Sequence, residues 1–374
     1  MEKMNKGDKM RKKIILFTIF ALFALISTYV FTQDIGNPSW KFLGKNGFSK
    51  SGAFSIALQI YDSVPYVAFW GDDGWRNMPV EKKYNGSTWE NVWKSGPHLP
   101  VDCISLQIDE GTPFIAYRES ASSFMPTIAK YNGDDWESLS EVSSNEDAIK
   151  DLNLSVFKGK PYVAFLDHNN NLWKANVVAY DGDDWTPLGS SDFSTGSADF
   201  MTLKIDDNGT PYVAFTDWEN LGKATAMKYN GKNWEPIGFA GFTPNSVSWT
   251  AIEVYEGTPY VAFSDNGNSG KATVMKYNGK SWENLGKPDF SVDSVSFIQF
   301  QIYNGIPYIA YSDEGISDKI AVMKYEGNNW KYVGAKGLSV GRAADVQLRI
   351  YKGIPYIAFT DEGNGDKGFV MKYE

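Results

Sequence analysis

The chain has 374 residues, with 36 Lys and Arg against 45 Asp and Glu, a formal charge of −9, two His and one Cys. A net acidic surface disfavours a nucleic-acid partner, because phosphates need a basic face. A single Cys103 excludes an intramolecular disulfide, and with only His98 and His168 beside it, zinc, copper or iron sites built from His and Cys have too few ligands, so stability has to come from packing.

The first element is a leader. Lys3, Lys6, Lys9, Arg11, Lys12 and Lys13 form a basic head, and the run from Ile14 to Gln33 carries no charge before the polar boundary at Asp34. Residues 1–33 therefore read as a signal peptide or an N-terminal membrane anchor. Twenty uncharged residues are long for a signal core and just long enough to span a bilayer, and Val30-Phe31-Thr32 lacks the small residues signal peptidase prefers, so both readings stand. Either one sends the remainder of the chain out of the cytoplasm, to the extracellular space or the cell envelope.

From residue 37 onward the chain repeats. A Pro-Tyr/Phe-Val/Ile-Ala-Phe/Tyr phrase recurs with its prolines at 65, 113, 161, 211, 259, 307 and 355, and the tyrosine of "KYNG" recurs at Tyr84, Tyr131, Tyr180, Tyr229, Tyr277, Tyr325 and Tyr373. Six of those tyrosines are followed five residues later by Trp. A fixed period near 48 residues means a solenoid, a propeller or an array. Within one repeat, "WTAIEVYEGTPYVAFSD" reads as a hairpin turning at Glu256-Gly257, "PYVAF" as a strand apolar on both faces, and "KATVMKY" and "SWENLG" as two more strands joined at Asn278-Gly279. A small sheet that is apolar front and back is stable only when stacked on its like. The seventh repeat stops before its Trp strand, while "SWKFLG" at Ser39–Gly44 stands alone ahead of the first repeat. One spare strand matches one missing strand. The expectation is an all-β, seven-bladed β-propeller of four-stranded antiparallel blades, a single domain over residues 37–374, closed by the N-terminal strand. An open solenoid is the rival, and it has no need of complementary ends.

The phrases "GTPYVAFSD" and "KATVMKYNG" and the Trp-x-x-Leu-Gly close resemble tandem repeats of exported bacterial proteins regarded as propellers, most without an assigned activity. The resemblance implies a fold and names no ligand. The WD-repeat and kelch signatures are missing, and "FSDNG" departs from the sialidase Asp-box in spacing.

Repeat-dictated residues are scaffold, and departures from the repeat are the site candidates. Asp167 with Lys174, Asp217 with Lys223, Asp265 with Lys271, Asp313 with Lys319 and Asp361 with Lys367 flank the loop between second and third strands, and read as facing charge pairs. No cofactor is called for; calcium keeps a minor claim at Asp361, Asn364 and Asp366. The departures are Trp70, Asp72, Asp73, Trp75 and Arg76 in repeat one, Trp93 and His98 before repeat two, Arg118 and Glu119 in it, and His168 and Trp173 in repeat three. Second–third loops and inter-blade connections share one propeller face, so these residues are expected around one rim. Arg342, with Arg76, Arg118 and Arg349, adds an anion-binding element next to the aromatics.

The expected function is an exported binding module that presents this rim to a carbohydrate or an extracellular partner protein without catalysis. The alternatives are a glycan-active hydrolase or lyase using carboxylates on the same rim, and a structural cell-envelope protein.

Overall fold

The computed structural model describes residues 38–71, 78–92, 101–119, 126–140, 142 and 148–374. The segment 1–33, expected to be a signal peptide or anchor, lies outside them, and among the described residues no helix is long and apolar enough to cross a membrane. Residues Trp40–Glu374 form one compact unit of seven four-stranded antiparallel sheets arranged in a ring. The innermost strands of blades one to seven are Ala53–Tyr61, Val101–Asp109, Ile149–Phe157, Ala198–Ile205, Val247–Tyr255, Val295–Tyr303 and Ala343–Tyr351.

The turns follow from their residues. Glu256 and Gly257 sit at φ 48° and 72° between the paired Tyr255 and Thr258, the two left-handed residues a tight hairpin needs. The Asn278-Gly279 turn is longer than the two-residue hairpin expected: Tyr277 pairs with Trp282, and the Asn278 side-chain oxygen accepts from the amides of Lys280 and Ser281, both at 3.0 Å. That side-chain bond stabilises a four-residue loop in place of the tighter one.

The two-sided "PYVAF" strand stacks as its pattern requires. Its Ala packs against the aromatic residue of the next blade's equivalent strand: Ala214 with Phe263, Ala262 with Tyr311, Ala310 with Phe359, and across the seam Ala358 with Phe69. Small against large lets adjoining sheets interlock without voids. At the periphery the outer-strand Trp of six blades donates its indole N–H to a carbonyl of the preceding blade, as in Trp234 to Leu188 at 2.7 Å and Trp282 to Ile237 at 2.7 Å, while Trp136 bonds the Glu81 side chain. Trp282 also stacks on Phe242 of the incoming connection, ring centres 4.1 Å apart.

The ends meet as the spare strand requires. Trp40–Phe42 pairs antiparallel with Lys367–Tyr373, Trp40 facing Tyr373, and Trp40 donates to Val333 at 2.6 Å as Trp234 and Trp282 do to their preceding blades. Leu43 and Phe48 add backbone bonds to Val370 and Gly368, each 2.8 Å. The last blade is built from both ends of the domain.

Candidate functional site

Every innermost strand breaks its pairing two residues in, with a register shift such as that between Ser248 and Ala251 or between Ala344 and Gln347. The first residue inside each break is left-handed: Ser55, Cys103 and Asp151 in blades one to three, Phe200, Trp249 and Phe297 in blades four to six, and Asp345 in blade seven, all with φ between 50° and 54°. A bulge inserts an unpaired residue and re-aims it. A bulky side chain in this region is uncommon, and aromatic residues adopt it three times in succession here.

The bulges surround the axial mouth. A concavity of about 250 Å³ is lined by Asp151, Phe200, Trp249, Phe297 and Asp345 among others. Phe200 and Trp249 lie 4.9 Å apart and Trp249 and Phe297 4.7 Å apart, centre to centre, each pair tilted by 41°. Three partly buried aromatic rings thus form an arc over three blades, with a carboxylate at either end. Asp345 accepts from the Ser55 amide at 2.9 Å, and Asp151 from the Met201 amide at 3.2 Å, so each acid ties its blade to the next. Burial raises both acids above the ordinary Asp value, and those amide bonds oppose the rise. Burial, helped by Asp102, pushes the Cys103 thiol up to about 12, which keeps it protonated and unreactive.

Beneath the mouth a lumen of about 420 Å³ runs along the axis. The innermost strands have one edge without a strand partner, and their backbone groups need other bonds. Polar lumen side chains supply them: Ser105 accepts from Leu154 N–H at 3.1 Å, Thr202 from Ile252 N–H at 3.2 Å, and Gln301 from Ile350 N–H at 2.8 Å, while Gln59 donates to the Leu106 carbonyl at 2.7 Å. Lys204, Glu253 and Arg349 are the charged members of the row that also holds Gln59, Gln107, Ser155 and Gln301. Lys204 and Glu253 pair at 2.7 Å.

The loops expected to share a face do so. The connection into blade seven delivers the amides of Val340 and Gly341 to the Asp361 carboxylate at 3.0 and 2.9 Å, and Asp361 also accepts from Gly363 at 3.0 Å. Asp313 makes the same bonds to Val292, Asp293 and Gly315. The recurring Asp does face its Lys in register, as Asp361 faces Lys367. Its main work differs from the expected charge pairing, however: it caps a short 3-10 turn and fastens the neighbouring connection. Burial leaves such an acid free to serve backbone donors, the strongest partners at hand. Among the described residues no group of three or more His, Cys, Asp or Glu is arranged to hold a metal ion.

Of the rim residues expected from the sequence, Asp72, Asp73, Trp75, Arg76, Trp93 and His98 lie outside the described residues. Glu119 closes the second strand of blade two, Thr112–Glu119. Trp70 faces Phe54 at 5.3 Å and packs on the blade-two core. Arg118 makes a two-pronged contact with the Asp102 carboxylate, its Nε at 2.6 Å, and reaches the Ile149 carbonyl of blade three, so it is a strut between blades. His168 and Trp173 come together across their hairpin at 4.9 Å. Lys150 lies 4.5 Å from the Trp173 ring centre and pairs with Asp199, which accepts from the exposed Trp218 at 2.5 Å. Arg342 is exposed, just ahead of the strand Ala343–Tyr351, and 3.8 Å from Glu362, while Arg349 is seven residues further along the chain, ~20 Å away in the lumen. Among the described residues, Arg118, Arg342 and Arg349 thus have separate surroundings, and Arg76 lies outside them.

The sequence reading passed over Phe200, Trp249 and Phe297. Aligning the repeats on their first strand would have exposed them, since the same column holds Ser, Cys and Asp elsewhere.

No family model matches the chain, and no curated protein sequence does. Among solved structures it is similar to a triple arginine-to-alanine mutant of AofleA from Arthrobotrys oligospora, at 12% identity and TM-score 0.49, covering 82% of this chain and 91% of that one. It is also similar to YjhT, at 11% identity and TM-score 0.48, covering 76% of this chain and 98% of that one.

Proposed function

We propose that this protein is an exported binding module that holds a carbohydrate on its loop-bearing face, with the axial mouth as the principal platform. The observation that carries the reading is the Phe200–Trp249–Phe297 arc. Aromatic faces stack on the C–H surfaces of sugar rings, and polar groups at the edge of the platform orient the hydroxyls. Asp151, Asp345, Gln299 and Gln347 border the arc and supply that polarity. The rigid ring holds the platform before any ligand arrives, which lowers the ordering cost of binding. The His168–Trp173 pair and exposed Trp218 extend the same kind of surface outward along the rim of blades three and four.

The test is a glycan array on the domain, followed by calorimetry on the best ligand. Trp249→Ala should weaken binding at least about tenfold with the melting temperature little changed, as expected for a lost stacking platform. Undiminished affinity in that variant would remove the mouth from the binding surface.

A further inference from the structure

The lumen row contains three charges, and two of them cancel. Lys204 and Glu253 occupy neighbouring blades and pair at 2.7 Å. Arg349 is two blades beyond Glu253, with Gln301 between them in the row. Its Nη1 donates to the Leu348 carbonyl of its own strand at 2.7 Å. Among the described residues no carboxylate oxygen lies within salt-bridge distance of it, although Glu253 acts on it from further off. A guanidinium has five N–H donors in a fixed fork, and Arg349 lines the cavity, so most of that fork is available to a group in the lumen.

The surroundings complete a receptor. Gln301 has its oxygen occupied by the Ile350 amide, which leaves its amide NH₂ as the group it offers to the lumen. Gln347 stands two residues before Arg349 on the same strand face, ~7 Å away, and both line the cavity. Asp345, the nearest acid on that strand, is a further two residues toward the mouth, ~13 Å from Arg349, and is held by the Ser55 amide. Burial lowers the arginine to about 10, with Glu253 opposing the fall, so it stays charged at neutral pH. Arg349 is half-buried and lines the lumen, where a planar anion matches its fork of donors.

We propose that the lumen is a binding site for a single carboxylate group, gripped two-pronged by Arg349 and flanked by the side-chain amides of Gln301 and Gln347. A planar carboxylate matches the guanidinium fork better than a spherical halide does. The two acids at the mouth disfavour multiply charged anions on the same path. The carboxylate belongs either to a small free organic acid or to an acidic sugar, and the cavity has room for both.

The assay is calorimetric titration at constant ionic strength with sodium acetate, sodium D-glucuronate, D-glucose, chloride and phosphate. Acetate or glucuronate should bind saturably while glucose, chloride and phosphate do not; a preference for glucuronate assigns the carboxylate to an acidic sugar, and parity with acetate assigns it to a free acid. Arg349→Gln should abolish the signal. Because that change alters the lumen, Arg349→Lys serves as the companion: it keeps the charge, loses the fork, and should weaken binding about tenfold with the melting curve retained. Glu253→Gln should tighten binding several-fold by freeing Lys204 and removing the opposing charge. Trp249→Ala should leave acetate binding unchanged, which separates this site from the glycan platform above it. Equal binding of glucose or phosphate, no binding of either carboxylate, or full affinity in Arg349→Gln would overturn the proposal.

Discussion

Replacing Glu81 by Gln should flatten the dependence of stability on pH. Glu81 faces Ala68 in blade one, a position that Ile128, Val177, Ala226, Val274, Val322 and Val370 fill in the other blades. It is 5% exposed, one of its oxygens has no hydrogen-bond partner, and burial raises its pKa well above the ordinary 4.5, with a hydrogen bond from Trp136 opposing. The folded state therefore keeps its proton after the unfolded chain has lost it. Below about pH 4.5 the two states are alike in protonation. Above it the native state loses about 1.4 kcal/mol of stability per pH unit until the folded pKa is passed, which is about 2 °C in melting temperature per pH unit for a domain of this size. Glutamine keeps an oxygen for Trp136 and has no proton to lose. Scanning calorimetry of both proteins at pH 4, 5, 6 and 7 should show curves that start together and diverge, the wild type falling. Parallel curves would mean that Glu81 ionises normally in the fold, and would refute the argument from burial.

Two further substitutions test the frame. A Cβ at Gly368 would lie 2.1 Å from the Phe48 ring, at a position where blade four has Ala224, so Gly368→Ala should destabilise by about 1 to 3 kcal/mol through overpacking at the seam, read as a lower denaturation midpoint; Phe48→Leu in the same chain should recover part of the loss. Asp361→Ala strips the amides of Val340, Gly341 and Gly363 of their acceptor and should cost about 2 kcal/mol or more, with faster amide exchange at those three residues. Asp361→Asn, which keeps an oxygen, should cost less.

The architecture was legible because it is repetitive. Seven copies of a strand that is apolar on both faces admit few arrangements, and the lone Trp40 strand pointed to how the ring shuts. The mouth was not legible, for a physical reason. A left-handed bulge is signalled in sequence by glycine or asparagine, yet here Trp249, Phe200 and Phe297 occupy it, so the first strand reads as an unbroken alternation and its aromatics read as ordinary wall. The recurring Asp misled in a subtler way. Its cross-strand Lys is visible in the spacing, but the amides it caps come from a connection twenty residues earlier, as with Asp361 and Gly341, and backbone donors leave no trace in the side-chain pattern. Glu81 was the exception that could have been read: a charge in a column of aliphatics.

The composite seventh blade has a kinetic meaning. Ser49 and Gly368 are 319 positions apart and bonded at 2.9 Å, and closing a flexible loop of that length would cost about 5 kcal/mol in chain entropy, a cost that falls as the intervening blades fold. Local hairpins in the other blades can form as soon as they are synthesised, whereas this junction waits for everything between its halves to be in place. The final click thus works as a quality check on assembly: a chain with one faulty blade leaves two sticky sheet edges facing each other across a gap, open to chaperones, proteases or a second unfinished chain.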